Sequence, residues 1–137
     1  MKTFFKKIEI ETSKRFDFVN IEQNIREILK ESQIKQGMLL LLCSHTTAGL
    51  ILNEDDSTIH RDFEKIAKIL VPGNLNYEHV SEGKINAMAH QLSMIFGNSL
   101  TLVVRQGNLF LGTWQSIFFV EFLEARKREV AVLILGE

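Results

Sequence analysis

The run Met38-Leu39-Leu40-Leu41-Leu42-Cys43 constrains this chain most. It opens after Gly37, is far too short to cross a bilayer, and reads as a strand buried on both faces. It leads directly into Ser44-His45-Thr46-Thr47-Ala48-Gly49-Leu50-Ile51-Leu52-Asn53-Glu54. That stretch sets an imidazole, hydroxyls, an amide and a carboxylate into what otherwise reads as buried β-structure. Leaving such groups buried and unpaired costs on the order of 1–3 kcal/mol each, so the fold must satisfy them, and a ligand site is the economical way.

Around this centre the pattern predicts an alternation of strands and helices. Strands are expected at Phe4 to Thr12, Arg15 to Val19, Gly49 to Asn53, Leu100 to Val104, Leu109 to Leu111, Ser116 to Leu123 and Arg128 to Leu135. Asn20, with Gln23 three residues on, reads as the N-terminal cap of a helix that ends near Gln36-Gly37. Ile21, Ile25, Ile28 and Leu29 share its inner face. A second helix spans about Asp55 to Leu70, with Ile59, Phe63, Ile66 and Leu70 as its core stripe. Asp62 lies at the edge of that stripe, and His60 points away from it toward solvent. A third helix covers Lys84 to Phe96 and stops at Gly97, and it places Asn86 and His90 four apart on one flank. Gln106-Gly107-Asn108 reads as a hairpin turn. The fold class is therefore α+β: a single compact domain over residues 1–137, with mostly antiparallel sheets and about three helices.

The chain's bulk properties exclude several partners. Sixteen basic residues stand against 17 acidic ones, a net charge of −1, which gives no electrostatic reason to bind nucleic acid or an anionic membrane. The lone cysteine, Cys43, forms no internal disulfide and fits a reducing, cytoplasmic setting. No leader-like apolar stretch follows Met1.

The chemistry-bearing residues fall into three groups. His45, His79 and His90 come from a strand end, a polar loop and a helix flank, and converging neutral imidazoles are the usual scaffold for zinc or a similar metal. The spacing itself does not prove convergence, and a local hydrogen bond is the bland reading of each ring, His60 included. Among the carboxylates, Asp55 and Asp56 suit helix capping. Glu54 and Asp62 suit it less well and are the better functional candidates. Glu82 reads as either a helix-end carboxylate or a site residue. Gly112-Thr113-Trp114-Gln115 reads as a turn with an aromatic plug. Arg126-Lys127-Arg128 is a soluble strand edge or a bidentate anion clamp.

In order along the chain, the motifs Ser44-His45-Thr46-Thr47-Ala48-Gly49 running into Asn53-Glu54, Asp62, Tyr77-Glu78-His79, Glu82-Gly83, Asn86-Ala87-Met88-Ala89-His90, Leu111-Gly112-Thr113-Trp114-Gln115 and Arg126-Lys127-Arg128 resemble the YjbQ-like family, the secondary thiamine-phosphate synthases. The chain departs from the family pattern at Lys84-Ile85. The resemblance implies a homotrimer with a pocket lined by His45, His79 and His90 as a metal triad. It implies Glu54, Asp62 and Glu82 as catalytic groups, and Thr46, Thr47, Asn53, Asn86, Thr113, Gln115, Arg126 and Arg128 as substrate contacts. The implied reaction joins hydroxymethylpyrimidine diphosphate to thiazole phosphate and releases pyrophosphate. Three imidazoles suit a divalent, zinc-like metal better than the magnesium usual in diphosphate chemistry. A metal-dependent hydrolase of a small anionic substrate and a non-enzymatic binding protein are the alternatives. In each case the partner is a small phosphorylated or otherwise anionic molecule.

Overall fold

A computed structural model describes residues 1–137. The elements in order are β1 (Lys2–Glu11), β2 (Asp17–Asn20), α1 (Glu22–Ser32), β3 (Gln36–Cys43), β4 (Ala48–Asn53), α2 (Ser57–Leu70), α3 (Lys84–Phe96), β5 (Ser99–Arg105), β6 (Asn108–Phe110), β7 (Ser116–Glu121) and β8 (Lys127–Gly136). They build one α+β domain from two antiparallel sheets, ordered β1-β8-β3-β5-β6 and β2-β7-β4.

The last strand lies at the centre of the larger sheet. β8 pairs with β1 from Lys2↔Gly136 to Glu11↔Lys127 and with β3 from Gly37↔Gly136 to Cys43↔Val130. Gly37 and Gly136 face one another so closely that a Cβ on either would meet the other strand's carbonyl oxygen region at 1.9 Å. The side chain is missing where the backbones need the space.

Alternation along β7 explains the layering. Ile117 and Phe119 join a core shared with α1, β3, β5 and β8, while Phe118 and Val120 join a second core with Ala67 of α2 and Met88, Ala89 and Leu92 of α3. The smaller sheet is thus covered on both faces: by the larger sheet and α1 on one, by α2 and α3 on the other. Glu121 and Arg128 tie the two sheets together. Arg128 Nε donates to Glu121 Oε1 at 2.8 Å, and its Nη2 donates to Glu121 Oε2 and, at 2.9 Å, to Thr47 Oγ1. Thr12 Oγ1 donates to Glu121 Oε1 at 2.8 Å, and Leu123 N to Oε2 at 3.0 Å. Every oxygen of this buried carboxylate therefore has donors, as burial of an ion demands.

Five local expectations need correction. The first helix ends at Ser32, not near Gln36-Gly37, because Gln33 turns left-handed (φ 60°) and residues from Gln36 are taken into the sheet by β5 and β8. β3 is buried on one face only. Leu39, Leu41 and Cys43 point into the core, while Met38 and Leu42 remain nearly half exposed, because no element of this chain covers the outer face of the larger sheet. The stripe expected on α2 is not its buried face. Ile66 and Leu70 are more than half exposed, and Ala67 is the buried residue. His60 is drawn inward in their place, stacked on Phe18 at 4.2 Å between ring centroids and edge-on to Phe118. Flat ring surface outweighs aliphatic periodicity here. Trp114 plugs nothing; it is 73% exposed on its turn.

Candidate functional site

Two clefts flank α3. The larger, about 630 Å³, lies between the end of α2, the following loop and α3. Pro72 and Gly73 break the helix, and Tyr77 Oη donates to the Pro72 carbonyl at 2.7 Å, which folds the loop back on itself. This brings His79 to His90, with ring centroids 5.0 Å apart and planes at 90°. Asn76, Glu78 and Gln91 supply polar groups beside them, and Leu70, Val71, Met94 and Ile95 form an apolar wall. A mostly apolar cleft with a few convergent polar groups is the usual form of a small-molecule site.

The smaller cleft, about 450 Å³, opens at the first turn of α3 and gathers Glu82, Lys84, Asn86, Glu124 and Arg126. Three of the residues expected to touch substrate or act on it, Glu82, Asn86 and Arg126, meet here. Arg126 is exposed and pairs with Glu124 at 2.9 Å.

His45 is engaged elsewhere. It follows β3, lies edge-on to Phe119, and its Nε2 accepts from the Glu129 backbone N–H at 2.9 Å. The neutral ring then carries its proton on Nδ1, so neither nitrogen offers a metal a free lone pair in this arrangement. Burial, and after it the Arg128 guanidinium, holds the pKa of this ring below its ordinary value. No three His, Cys, Asp or Glu side chains gather as a cation site within the chain. Two imidazoles fall one short of the three protein ligands of a catalytic zinc, so the residues of a single chain do not fit the expected metal triad.

The remaining expected contacts are dispersed. Thr47 and Arg128 are buried in the network around Glu121, and this arginine has no free fork for an anion. Thr46 is exposed. Asn53 Oδ1 accepts from Glu54 N at 2.8 Å, and the Glu54 carbonyl lies 3.3 Å from His60 Nε2. Asp62 is exposed on α2, 3.8 Å from Lys65. Gln115 Oε1 closes the exposed turn by accepting from Gly112 N at 2.8 Å, with Thr113 beside it. Cys43 is buried, and desolvation pushes its thiol pKa up, opposite to what a nucleophile needs.

Residues 6–137 match the family model of the UPF0047 protein YjbQ-like group. The chain belongs to the YjbQ-like (UPF0047) family. It is 39% identical over 132 residues to a UPF0047 protein of Methanocaldococcus jannaschii, covering 96% of this chain and 94% of that one. It is 34% identical over 132 residues to the UPF0047 protein YugU of Bacillus subtilis, covering 96% and 98%. A crystal structure of a YbjQ-like protein of unknown function from Sulfolobus solfataricus superposes with a TM-score of 0.94 at 33% identity, covering 99% of each chain. The two-sheet arrangement is therefore a family architecture.

Sequence reasoning about this YjbQ-like chain missed Glu121. The signal was present, since a carboxylate closes the apolar strand Ile117-Phe118-Phe119-Val120 and must find a buried cation. It also passed over Asn76 and Gln91, which are ordinary polar residues until the loop folds.

Proposed function

We propose that this protein is a small-molecule enzyme of the kind the family resemblance implies. It would join hydroxymethylpyrimidine diphosphate to thiazole phosphate at the cleft that His79 and His90 share. The observation that carries this reading is the perpendicular imidazole pair on the wall of the larger cleft. In the reaction the thiazole nitrogen forms a bond to the pyrimidine methylene carbon as the bond to pyrophosphate breaks with its electron pair. The two imidazoles would donate to the departing diphosphate oxygens, where negative charge grows. The apolar wall would receive the pyrimidine ring. A zinc-like divalent metal on the pair would need at least one more ligand from a neighbouring copy, and elemental analysis of the purified protein reads its presence.

The homotrimer that the family implies would cover the outer face of the larger sheet, where Phe5, Met38, Leu42 and Val103 are exposed. Apolar surface contiguous on this scale marks an interface more often than bare protein.

His90→Ala should lower kcat/KM for the coupling reaction by about 10²–10⁴-fold while the protein stays folded, assayed as pyrophosphate release. Full turnover in that variant would remove the imidazole pair from the chemistry. Lost affinity with no turnover in the parent would make the protein a binder instead.

A further inference from the structure

We propose that residues 73–83 form a lid on the larger cleft, which swings as one body between its end glycines and carries His79 onto and off His90. What the lid is for rests on the proposed coupling reaction; that it moves does not.

Three observations converge on it. First, the segment is bonded to itself and not to the body of the protein. Tyr77 N donates to the Leu75 carbonyl, Val80 N to that of Glu78, Gly83 N to that of Val80, and Tyr77 Oη to that of Pro72. No hydrogen bond joins residues 73–82 to anything outside 72–83, and the next bond along the chain, from Ala87 N to the Gly83 carbonyl, already belongs to α3. A segment held by its own bonds can move away without breaking them. Second, one side chain moors it. Tyr77 packs against the core that α2 and α3 share with β7, and every other residue from 73 to 83 is exposed. His79 is among the exposed residues despite its edge-on contact with His90. Third, both ends can turn. Gly83 sits at φ 94° in open space. Gly73 has a negative φ, and a Cβ there would meet nothing within 4 Å, so neither conformation nor packing demands a glycine. What that glycine adds is freedom to rotate.

The segment supplies one wall of the larger cleft, with Leu75, Glu78 and His79, and α3 supplies the facing one, with His90 and Met94. Swinging out parts the two imidazoles and opens the cleft; swinging in shuts out water. The coupling reaction needs that exclusion. Were water to replace the thiazole nitrogen, a C–O bond would form at the methylene carbon, a proton would pass to solvent and the same pyrophosphate would leave without coupled product. An unstructured connection longer than about 12 residues is uncommon in a compact domain and often serves as such a lid.

The motion is tested by ¹⁵N relaxation dispersion on the ligand-free protein. The amides of residues 74–83 should share one exchange rate on the microsecond-to-millisecond scale, while the interiors of α2 and α3 stay flat. Gly73→Ala, whose added methyl group meets nothing, should lower that shared rate at least about twofold by stiffening one end. Flat loop amides, unrelated rates along the segment, or an unchanged rate in Gly73→Ala would each overturn the lid. Its role is tested by comparing the pyrophosphate released with the coupled product formed from hydroxymethylpyrimidine diphosphate and thiazole phosphate. Tyr77→Ala, which removes the mooring, should raise the uncoupled share at least about fivefold, and an unchanged share in the folded variant would overturn the proposal. Should Tyr77→Ala not fold, the shared rate in Gly73→Ala decides. A parent protein that forms no coupled product defeats the coupling reading alone, because the dispersion result stands without it.

Discussion

α1 and α2 are both amphipathic helices, yet only α1 buries the stripe its sequence displays. Ile21, Ile25, Ile28 and Leu29 are each 4% exposed or less. Ile59, Ile66 and Leu70 on α2 are 37%, 54% and 55% exposed. The difference lies in what each helix meets. α1 packs between the two sheets, where aliphatic side chains from β3, β5 and β8 match its own. α2 lies on the aromatic side of the smaller sheet, and Phe18, Phe118 and Phe122 favour His60 and Phe63 over isoleucine. Apolar periodicity therefore states that a helix has a sticky face. It does not state which neighbour takes it.

The comparison can be broken most forcefully where the two sheets are joined. Arg128→Ala would leave Glu121 buried and uncompensated, and should destabilise the fold by about 3–5 kcal/mol, read by chemical denaturation. A loss near zero would mean that the pair is hydrated and does not tie the sheets. Next in size, Ile25→Ala should cost about 2–5 kcal/mol, while Ile66→Ala should stay within about 0.5 kcal/mol. Equal costs at the two positions would show that α2's stripe is covered in solution and would erase the contrast.

The same contrast measures how much the sequence disclosed. The three helices, the hairpin at Gln106-Gly107-Asn108 and the closing strand from Arg128 were legible, because their signals are local: periodicity and turn residues. α3 was readable to its ends for that reason. The outer face of β3 was not, because a continuous leucine run looks the same whether a helix, a second copy or water lies over it. The site was legible in part. His79 with His90, and Glu82 with Asn86, are brought together by one helix and the loop before it, while Arg126 joins the second pair from the distant turn between β7 and β8. His45, Thr47 and Arg128 depend on pairings across the whole chain, and there the polar groups satisfy one another instead of a ligand.

The bare sheet face sharpens this point. Leu42→Glu should leave the unfolding of a single chain nearly unchanged, since Leu42 is 47% exposed, and should lower the mass seen in sedimentation from an assembly to one chain. An unchanged mass in the variant, or a single chain in the parent, would leave that face uncovered and withdraw the trimer.

The smallest effect concerns His45. Burial and the nearby Arg128 charge lower its folded-state pKa below the ordinary value of about 6.5, so the unfolded chain binds the proton more readily. Above about pH 6.5 both states hold a neutral ring and the His45 contact is fully present. As the pH falls below that value toward the folded-state pKa, the unfolded chain takes up protons first and stability declines. The ring is partly open to water, which screens the effect and keeps it small. Its Nε2 also loses the ability to accept from Glu129 N once protonated. His45→Gln, whose side-chain oxygen can still accept, should therefore flatten the acid limb of the stability curve near pH 6 while leaving stability near pH 8 little changed. A variant with the same acid slope as the parent would assign that slope to another group and free His45 from this role.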